Sequence, residues 1–269
     1  MPAAPAATAA STWPTALVTG ASSGIGRALA RALAAEGSDL VVVARDRARL
    51  DGLAAELRGG HGVAVDVLPA DLADAGQLAA VEARLTGGDP PVDLVVNNAG
   101  FGTYGDLADL DVDTESREIA VNVTAVVRLT HAALQGMVRR GRGAVMNVSS
   151  VAGLQATPGN ATYGASKAFV ASFGEAVAGE LAGTGVTLTT VLPGFTRTEF
   201  QERAGVGGRE IPGPAWMSPD EVASVALAAT RAGRPWVVPG ALNKVLVAAA
   251  GPVPRGLKRR LASRVARRM

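Results

Sequence analysis

Short apolar runs rich in β-branched residues alternate with longer Ala- and Leu-rich stretches along most of this 269-residue chain. The nearly unbroken apolar character of the short runs is typical of strands buried on both faces of a parallel sheet. The longer stretches, such as GRALARALAAEG and SPDEVASVALAATRAG, have the length and apolar spacing of helices. This alternation predicts an α/β fold with a doubly wound parallel sheet of about seven strands and helices on both faces. The strand candidates are TALVTG, DLVVVAR, GVAVDVLPAD, VDLVVNNAG, GAVMNVSS, VTLTTVLPG and RPWVVPG.

The chain has neither an internal linker nor a repeat, so we expect a single Rossmann-type domain over residues 15–241. Residues 1–14 are rich in Ala and Pro and lack the basic and apolar segments of a signal peptide, which predicts a flexible tail. Residues 194–217 hold many Gly and Pro and predict a long substrate loop, with a disordered insertion as the alternative. Residues 242–269 predict a basic helical extension.

Charge is concentrated at the C-terminus. From Val222 to Met269 there are ten Arg or Lys and no acid, whereas the rest of the chain has 16 basic and 24 acidic residues. Leu257, Leu261 and Val265 are spaced four apart and predict an amphipathic helix. That helix docks on the protein itself or on a sister subunit, or it contacts an anionic membrane or an acidic partner weakly. Nucleic acid is not expected as a partner, because the segment lacks aromatic residues for base stacking.

Composition excludes several kinds of site. The chain has no cysteine, which excludes disulfides, thiolate metal sites and cysteine nucleophiles. Its two histidines, His61 and His131, leave little for a zinc site, and we expect no bound metal. No run of about 18 apolar residues predicts a membrane-spanning helix. We therefore expect a cytoplasmic protein. A peripheral contact with the membrane through the basic extension is an additional possibility.

The segment TGASSGIG, residues 19–26, follows the first strand candidate and opens the first helix candidate. Free backbone N–H groups and the helix dipole favour a phosphate at such a position, and glycine lets the backbone approach it closely. The spacing G-x-x-x-G-x-G departs from the common G-x-G-x-x-G, so a tight turn without a ligand is the alternative. The residues expected to contact a nucleotide here are Gly20, Ser22, Ser23, Gly24, Ile25 and Gly26.

Tyr163 and Lys167 stand four apart in TYGASKA, a stretch otherwise made of small residues, so they share one face of a predicted helix. A tyrosine has a pKa of about 10 and is a poor base near neutral pH unless a positive charge favours the phenolate. The ammonium group of Lys167 would supply that charge. The pair therefore predicts proton transfer by Tyr163.

These motifs together resemble the short-chain dehydrogenase/reductase family. TGASSGIG, NNAG at residues 97–100, Asn122, NVSS, YGASK and PGFTRT follow one another in the family's order between Thr15 and Ala241. The resemblance implies an oxidoreductase that transfers a hydride between a nicotinamide nucleotide and a carbonyl or secondary alcohol, commonly as a homodimer or homotetramer. Tyr163 would be its general acid or base. The implied catalytic tetrad is Asn122, Ser150, Tyr163 and Lys167.

Within this tetrad, Ser150 is favoured over Ser149. The family's catalytic serine ends the fifth strand thirteen positions before the tyrosine, as Ser150 does, and strand alternation points Ser149 the other way. Capping of the following segment is the alternative for both serines and suits Ser149 better. The resemblance implies that Asn122 holds a water in a proton relay from Lys167. From the residues alone, a buried amide that only satisfies backbone groups is the alternative.

The resemblance also implies further cofactor contacts. Asp71 and Leu72, after the third strand, match positions near the adenine ring, although a solvated Asp that begins the next helix is an alternative for Asp71. The NNAG motif would stabilise the sheet and let the ribose lie close, and PGFTRT would shape the nicotinamide face and bind its carboxamide. The cofactor residues of these two motifs are Asn98, Ala99, Gly100, Pro193, Gly194, Thr196 and Thr198.

The choice between NADP and NAD depends on the end of the second strand. An acid about twenty residues beyond the glycine loop binds the ribose of NAD, whereas an arginine pairs with the 2′-phosphate of NADP. Arg45 occupies this position, and Asp46 is suited to begin the following helix. The sequence therefore favours NADP over NAD and, with it, the direction of reduction.

The substrate is poorly defined by the sequence, because relatives with this tetrad act on 3-oxoacyl thioesters, steroids, polyketides, sugars and hydroxy acids. A non-catalytic dinucleotide sensor and a membrane-peripheral scaffold on the same fold are the alternative functions, although a scaffold needs neither Tyr163 nor Lys167. The candidate pocket is mostly apolar, which indicates a ketone, aldehyde or secondary alcohol on an apolar body. Its residues, each of which is also compatible with ordinary core, are Phe101, Tyr104, Leu154, Phe195, Phe200 and Trp216.

Overall fold

The computed structural model describes residues 11–204, 213 and 216–250. In that part of the chain, a seven-stranded sheet has the order β3-β2-β1-β4-β5-β6-β7, and each neighbouring pair is parallel. The doubly wound parallel sheet predicted from the sequence is confirmed. The strands are β1 (Thr15–Thr19), β2 (Asp39–Ala44), β3 (Val65–Pro69), β4 (Leu94–Asn97), β5 (Gly143–Val148), β6 (Val186–Val191) and β7 (Trp236–Val237).

Helices cover both faces of the sheet. Neighbouring strand residues point to opposite faces, so Val18 packs with α1, α2 and α8 in one core, while Leu17 packs with α3, α5 and α6 in the other. The sheet is thereby buried on both sides, which explains its nearly unbroken apolar strands. The helices are α1 (Gly24–Ala35), α2 (Arg47–His61), α3 (Ala75–Gly87), α4 (Val112–Ile119), α5 (Ala125–Arg140), α6 (Ala161–Glu180), α7 (Phe200–Arg203), α8 (Pro219–Arg231) and α9 (Ala241–Ala250).

The strand order places the functional motifs. The connection from β1 leads to β2 on one side, whereas β4 lies on the other side of β1, so the order reverses between these two strands. Ligands of open parallel sheets bind beyond the carboxyl ends of the strands at this reversal. The glycine loop follows β1 and the NNAG motif ends β4, so both lie at this point.

One long helical stretch of the sequence is interrupted in the structure. Residues 113–138 have continuous helical spacing, yet the structure forms α4, one π-helical turn over Ala120–Thr124, and α5. A π turn holds one more residue than an α turn and changes the direction of the side chains within it. Here the turn carries Asn122, whose side chain bonds to the backbone of Phe101.

The structure also bears on both ends of the chain. Residues 1–10 lie outside the described residues, but Trp13 is only 5% exposed and has the guanidinium carbon of Arg231 at 5.4 Å from a ring centroid. The flexible tail predicted for residues 1–14 therefore does not extend to Trp13, because its indole is part of the core. The start of the predicted extension, residues 242–250, belongs to α9, and Leu257, Leu261 and Val265 lie outside the described residues. None of the helices described combines the length and apolar character needed to cross a membrane.

Candidate active site

A cavity of about 1070 Å³ opens at the carboxyl edge of the sheet. It is lined by residues that follow β1, β2, β3, β4, β5 and β6, as expected for a ligand site at the strand-order reversal. All of the predicted catalytic, cofactor and pocket residues line it except Gly26 and Asn122. These two are buried behind the wall and act on the cavity through their neighbours.

The glycine loop is packed tightly against the end of β4. The φ of Gly20 is +66°, and a Cβ atom there would lie 2.7 Å from the Nδ2 atom of Asn98. A Cβ atom on Gly26 would overlap the carbonyl oxygen of Gly20 and the same amide group. The Nδ2 atom of Asn98 donates to Thr19 O at 2.9 Å, and Thr19 Oγ1 accepts from the N–H groups of Asn98 and Ala99. The NNAG motif therefore fixes the loop.

This arrangement fits the phosphates of a dinucleotide. Helix α1 starts directly after the loop, its first turn carries no acid, and the Ser23 side chain makes no capping hydrogen bond in the described structure. The N–H groups of the first turn therefore face the cavity without a competing negative charge. The glycines remove side chains where a phosphate would approach the backbone.

Arg45 lies where the sequence places the determinant of cofactor choice. It follows β2, is exposed and lines the cavity. Asp46 caps α2, because its side chain accepts from Arg49 N at 3.0 Å. Arg49 lines the cavity too, and its Nη1 atom is engaged by the carboxylate of Glu199 at 2.9 Å. Arg45 and Arg49 thus both line the same cavity.

Asp71 lines the cavity but does not begin the next helix. Asp74 caps α3 by accepting from Gln77 N at 2.8 Å, so the alternative reading of Asp71 is wrong. Partial burial raises the pKa of Asp71, but the N–H of Ala73 and the guanidinium of Arg117 outweigh this effect and hold the pKa below its usual range. The carboxylate is 2.8 Å from Arg117 Nη2. Asp71 is therefore an ionised, oriented group in the cavity, and its contact with an adenine ring stays a prediction.

Tyr163 and Lys167 share the cavity-facing side of α6, as their spacing predicts. Lys167 is 5% exposed, its Nζ atom donates to Val148 O at 3.0 Å, and the same atom lies 5.7 Å from the centroid of the Tyr163 ring. The ring contacts Phe200 with centroids 5.2 Å apart. On another side, a Cβ atom on Gly102 would be 2.7 Å from Tyr163 Cδ2, so only glycine leaves room for the ring.

The electrostatics of this pair differ from the expectation. Loss of hydration raises the pKa of the Tyr163 phenol to about 12, a hydrogen bond with Ser150 opposes the rise, and the charge of Glu118 adds to it. Burial lowers the pKa of Lys167 to about 8, while Glu118 opposes that fall. The stabilisation of a phenolate expected from Lys167 is therefore outweighed by desolvation. Tyr163 holds its proton at neutral pH.

The two serines after β5 have different partners. Ser149 is 2% exposed, and its Oγ atom donates to Lys167 O at 2.6 Å, away from the cavity. Ser150 lines the cavity, bonds to the Tyr163 phenol, and accepts from Ala152 N at 3.1 Å. The capping interaction assigned by preference to Ser149 thus belongs to Ser150, because the extended backbone of Ser150 directs its hydroxyl to the following turn. Ser150 combines this cap with its place beside Tyr163.

Asn122 supports the site from behind. Its Oδ1 atom accepts from Phe101 N at 3.2 Å, and its Nδ2 atom donates to Phe101 O at 2.8 Å and to Ser166 Oγ at 3.1 Å. The side chain therefore joins the loop after β4 to α6. The part in a proton relay that the family resemblance implies for Asn122 stays a prediction.

The predicted substrate loop is fixed at both ends. Met217 N donates to Phe195 O, and Arg197 N donates to Met217 O, both at 2.9 Å. Phe195 and Trp216 are in ring contact at 5.7 Å between centroids. The stretch 194–217, irregular in the sequence, includes the short helix α7, and its residues 205–212, 214 and 215 lie outside the described residues.

Sequence reasoning missed two features of the site. Asn243 and Val247 of α9 line the cavity, and Asn243 packs on Gly194 where no Cβ would fit. An Asn in an Ala- and Leu-rich helix carries no signal of this contact, which depends on tertiary packing. The second feature is a pair of buried carboxylates, Glu115 and Glu118. Glu115 and Glu118 are three residues apart, and Asn122 follows four residues later, so all three lie on one helix face. This spacing could have been used to predict the cluster from the sequence.

The fold and the cleft are those of a dinucleotide-binding α/β protein. A family model described as "short chain dehydrogenase" matches residues 14–206, and the chain belongs to this family, whose members bind nicotinamide dinucleotides. The granaticin polyketide synthase putative ketoacyl reductase 1 of Streptomyces violaceoruber is 41% identical over 192 residues, which cover 71% of this chain and 70% of the relative.

Two solved structures are similar over most of the chain. A short-chain dehydrogenase from Sphingobium yanoikuyae in complex with NADPH is 38% identical, with a TM-score of 0.78, and the match covers 90% of this chain and 97% of that one. The bulky-bulky ketone specific alcohol dehydrogenase from Comamonas testosteroni is 33% identical, with a TM-score of 0.77 and coverage of 90% and 95%.

Proposed function

We propose that the protein is an NADP-dependent reductase of carbonyl groups on largely apolar substrates, of the 3-oxoacyl, steroid-like, polyketide-like or small-ketone kind, and that it also oxidises the matching secondary alcohols. The observation that carries this proposal is the position of Ser150, Tyr163 and Lys167 in one cavity with the glycine loop. The rest of that cavity is rich in apolar and aromatic side chains, including Phe195, Phe200 and Trp216, which suits an apolar substrate better than a sugar.

The chain's own groups account for the proton chemistry. When NADPH is bound, it supplies the hydride for the carbonyl carbon. Tyr163, protonated at neutral pH because burial raises the pKa of its phenol, donates a proton to the carbonyl oxygen. Ser150 hydrogen-bonds to the phenol and is placed to orient the same oxygen. Lys167, held by Val148 O, adds positive charge beside the phenolate that remains.

Arg45 supports NADP over NAD. It is exposed and lines the cavity after β2, and the carboxylate of the next residue, Asp46, is engaged as the cap of α2. A guanidinium pairs with a 2′-phosphate, whereas a free carboxylate at this place would pair with ribose hydroxyls. The similar short-chain dehydrogenase from Sphingobium yanoikuyae is in complex with NADPH, which supports NADP as the cofactor here.

The test is a screen of ketones, 3-oxo thioesters and secondary alcohols with the purified full-length protein, following nicotinamide absorbance with NADP(H) and NAD(H). We expect reduction of bulky apolar ketones with a higher kcat/KM for NADPH than for NADH. Activity confined to sugars or hydroxy acids would contradict the substrate class. NADPH binding without turnover of any carbonyl would favour a non-catalytic sensor instead.

We further propose that the protein forms a homo-oligomer. As a separate property, we propose that residues 255–269 of the basic extension bind weakly to an anionic membrane or an acidic partner. The first proposal rests on what the family resemblance implies. The second rests on the positive charge of residues 255–269. Light scattering tests the first. Cosedimentation with anionic vesicles at low and high salt, with and without these residues, tests the second.

A further inference from the structure

Two acidic side chains are buried behind the catalytic pair. Glu118 is fully buried and Glu115 is 5% exposed, and both lie on the face of α4 that meets the loop after β4. The Oγ1 atom of Thr103 lies 2.5 Å from Glu115 Oε1 and 3.3 Å from Glu118 Oε2, and Thr103 N donates to Glu118 Oε2 at 3.0 Å. The other carboxylate oxygens, Glu115 Oε2 and Glu118 Oε1, have no hydrogen-bond partner within the described structure.

The Thr103 hydroxyl has too few hydrogens to donate to both carboxylates. A threonine hydroxyl has one hydrogen, so it can donate to only one of the two carboxylates at a time. The carboxyl group that does not receive the Thr103 hydrogen can still form a full hydrogen bond. It does so when it is protonated and donates its own hydrogen to the hydroxyl oxygen of Thr103. Two ionised carboxylates without a cationic hydrogen-bond partner are also costly to bury. A single proton shared through the Thr103 hydroxyl resolves both conflicts.

The cluster and the catalytic pair both border the loop after β4. Glu118 is one turn before Asn122, whose Oδ1 atom would lie 2.9 Å from a Cβ atom on Gly100, while Lys167 Nζ would lie 3.2 Å from the same point. Asn122 and Thr103 both hold the loop that carries Gly102, and Gly102 packs on the Tyr163 ring. The loop therefore connects Glu118 with the pair, and the charge of Glu118 raises the pKa of both of its members.

The charged neighbours of Glu118 are few. Glu115 lies on the same helix, and Arg117 of that helix is paired with Asp71. From α6, Lys167 and Tyr163 feel the charge of Glu118. The π turn contributes no titratable group, and the segment between β4 and α4 carries Tyr104, Asp106, Asp109 and Asp111, none of which is among the causes of the raised pKa of Glu118. The ionisation of Glu118 is thus coupled mainly to Glu115 and to the catalytic pair.

We propose that Glu115, Thr103 and Glu118 form a buried proton-sharing unit, and that Glu118 is a positioning residue whose ionisation sets the pH range in which Tyr163 stays protonated and Lys167 stays charged. The proposal deepens the proposed function and rests on it for its catalytic consequence. The existence of the shared proton does not depend on any activity.

The direction of the effect follows from the pKa values. Burial raises the pKa of Glu118 to about 7; the Thr103 hydrogen bonds and the Lys167 charge oppose the rise, and the charge of Glu115 adds to it. Above that pH the unit gains a negative charge, which raises the pKa of both Tyr163 and Lys167. Ionised Glu118 thereby keeps Tyr163 an acid and Lys167 a cation, which favours reduction.

Infrared difference spectroscopy of the protein without substrate tests the shared proton. We expect a carboxylic acid C=O band that disappears as pH rises through about 7, absent in Glu118→Gln and unchanged in Glu175→Gln, an exposed glutamate on α6. Thr103→Val should shift the pH of this transition because it removes the hydroxyl through which the proton is shared, and Thr103→Ser should restore it. A spectrum without a carboxyl transition near neutrality, or one that survives in Glu118→Gln, would overturn the proposal.

The pH profile of kcat/KM for carbonyl reduction tests the coupling. The ratio of Glu118→Gln to wild type should fall as pH rises above about 7, because the alkaline limb of the variant moves to lower pH. A ratio that is the same at every pH would show a merely structural residue and would overturn the coupling. If Glu118→Gln does not fold, Thr103→Val against Thr103→Ser gives the same comparison. A protein without reductase activity would overturn the proposed function, and the infrared titration would still decide the shared proton.

Discussion

The Nζ atom of Lys167 donates a 3.0 Å hydrogen bond to the carbonyl oxygen of Val148, the last residue of β5. The face of α6 that carries Tyr163 and Lys167 is thereby tied to the strand end that precedes Ser149 and Ser150. Ser149 makes a second tie, since its Oγ atom donates to the backbone oxygen of Lys167 at 2.6 Å. Buried hydrogen bonds between β5, the residues after it and α6 therefore fix the geometry around Tyr163. A substitution that removes one functional group should leave this geometry intact, so its effect reports on that group.

Tyr163→Phe removes the transferable proton and keeps the ring. The contacts with Phe200 and Gly102 use the ring only, so the fold and NADPH binding should be retained. General acid–base catalysis contributes about 10²- to 10⁴-fold, and we expect kcat for carbonyl reduction to fall by that factor. Stopped-flow or steady-state absorbance measures turnover, and fluorescence titration measures NADPH affinity. Full activity in this variant would contradict the assignment of the acid.

Lys167→Ala should impair two measurable quantities together. The change removes a buried charge beside the phenol and, by the family resemblance, a contact with the nucleotide ribose, so kcat and NADPH affinity should both fall. Lys167→Met is the matched control, because it fills the same space without the charge and separates packing from electrostatics. If NADPH affinity were unchanged in both variants, Lys167 would not contact the ribose, and its function would be limited to its charge beside the phenol.

The sequence predicted the fold and the members of the cleft because both depend on local signals. Strand and helix periodicity determine the layers, and motifs that end strands must meet at one edge of a parallel sheet. Contacts between distant segments carry no such signal. The burial of Trp13 and the packing of Asn243 on Gly194 arise from tertiary docking. The pKa of Tyr163 likewise depends on how much water the folded loops exclude, which spacing alone does not give.

Arg45→Asp should shift cofactor preference from NADPH towards NADH. The new carboxylate repels a 2′-phosphate and accepts hydrogen bonds from ribose hydroxyls. A tenfold fall in the NADPH/NADH ratio of kcat/KM corresponds to about 1.4 kcal/mol, a modest demand on a charged contact. Arg47→Asp is the control, since Arg47 is exposed near Asp51 and does not line the cavity. An unchanged ratio in Arg45→Asp would show that Arg45 does not select the cofactor.

Gly26→Ala should disturb the glycine loop, whereas Gly52→Ala should not. A Cβ atom on Gly26 would overlap Gly20 O and the Asn98 amide, while one on Gly52 in α2 would meet nothing within 4 Å. We expect Gly26→Ala to weaken NADPH binding and to destabilise the fold by about 1–3 kcal/mol. Gly52→Ala should stabilise it by about 0.5–1 kcal/mol. Chemical denaturation and nucleotide titration of the two variants measure this, and equal effects would contradict the packing argument.

Glu118→Gln should stabilise the protein more strongly at alkaline than at acidic pH. The pKa of Glu118 is raised from 4.5 to about 7 in the folded state, chiefly by burial. A carboxyl group with a raised folded pKa contributes stability that is present below the unfolded pKa and is lost as pH rises through the folded value. Wild type should therefore lose on the order of 1–3 kcal/mol across this window relative to Glu118→Gln, which cannot ionise.

Thermal unfolding at several pH values measures this difference. The Tm of Glu118→Gln minus that of wild type should increase from about pH 5 to about pH 8, and then level off, because Glu118 is fully ionised well above its pKa of about 7. Glu175→Gln should show no such trend, since that carboxylate is exposed. A Tm difference that is constant with pH would mean that Glu118 has the same ionisation in the folded and unfolded states. A difference that decreases would mean that the ionised carboxylate is stabilised by Lys167 more than burial destabilises it.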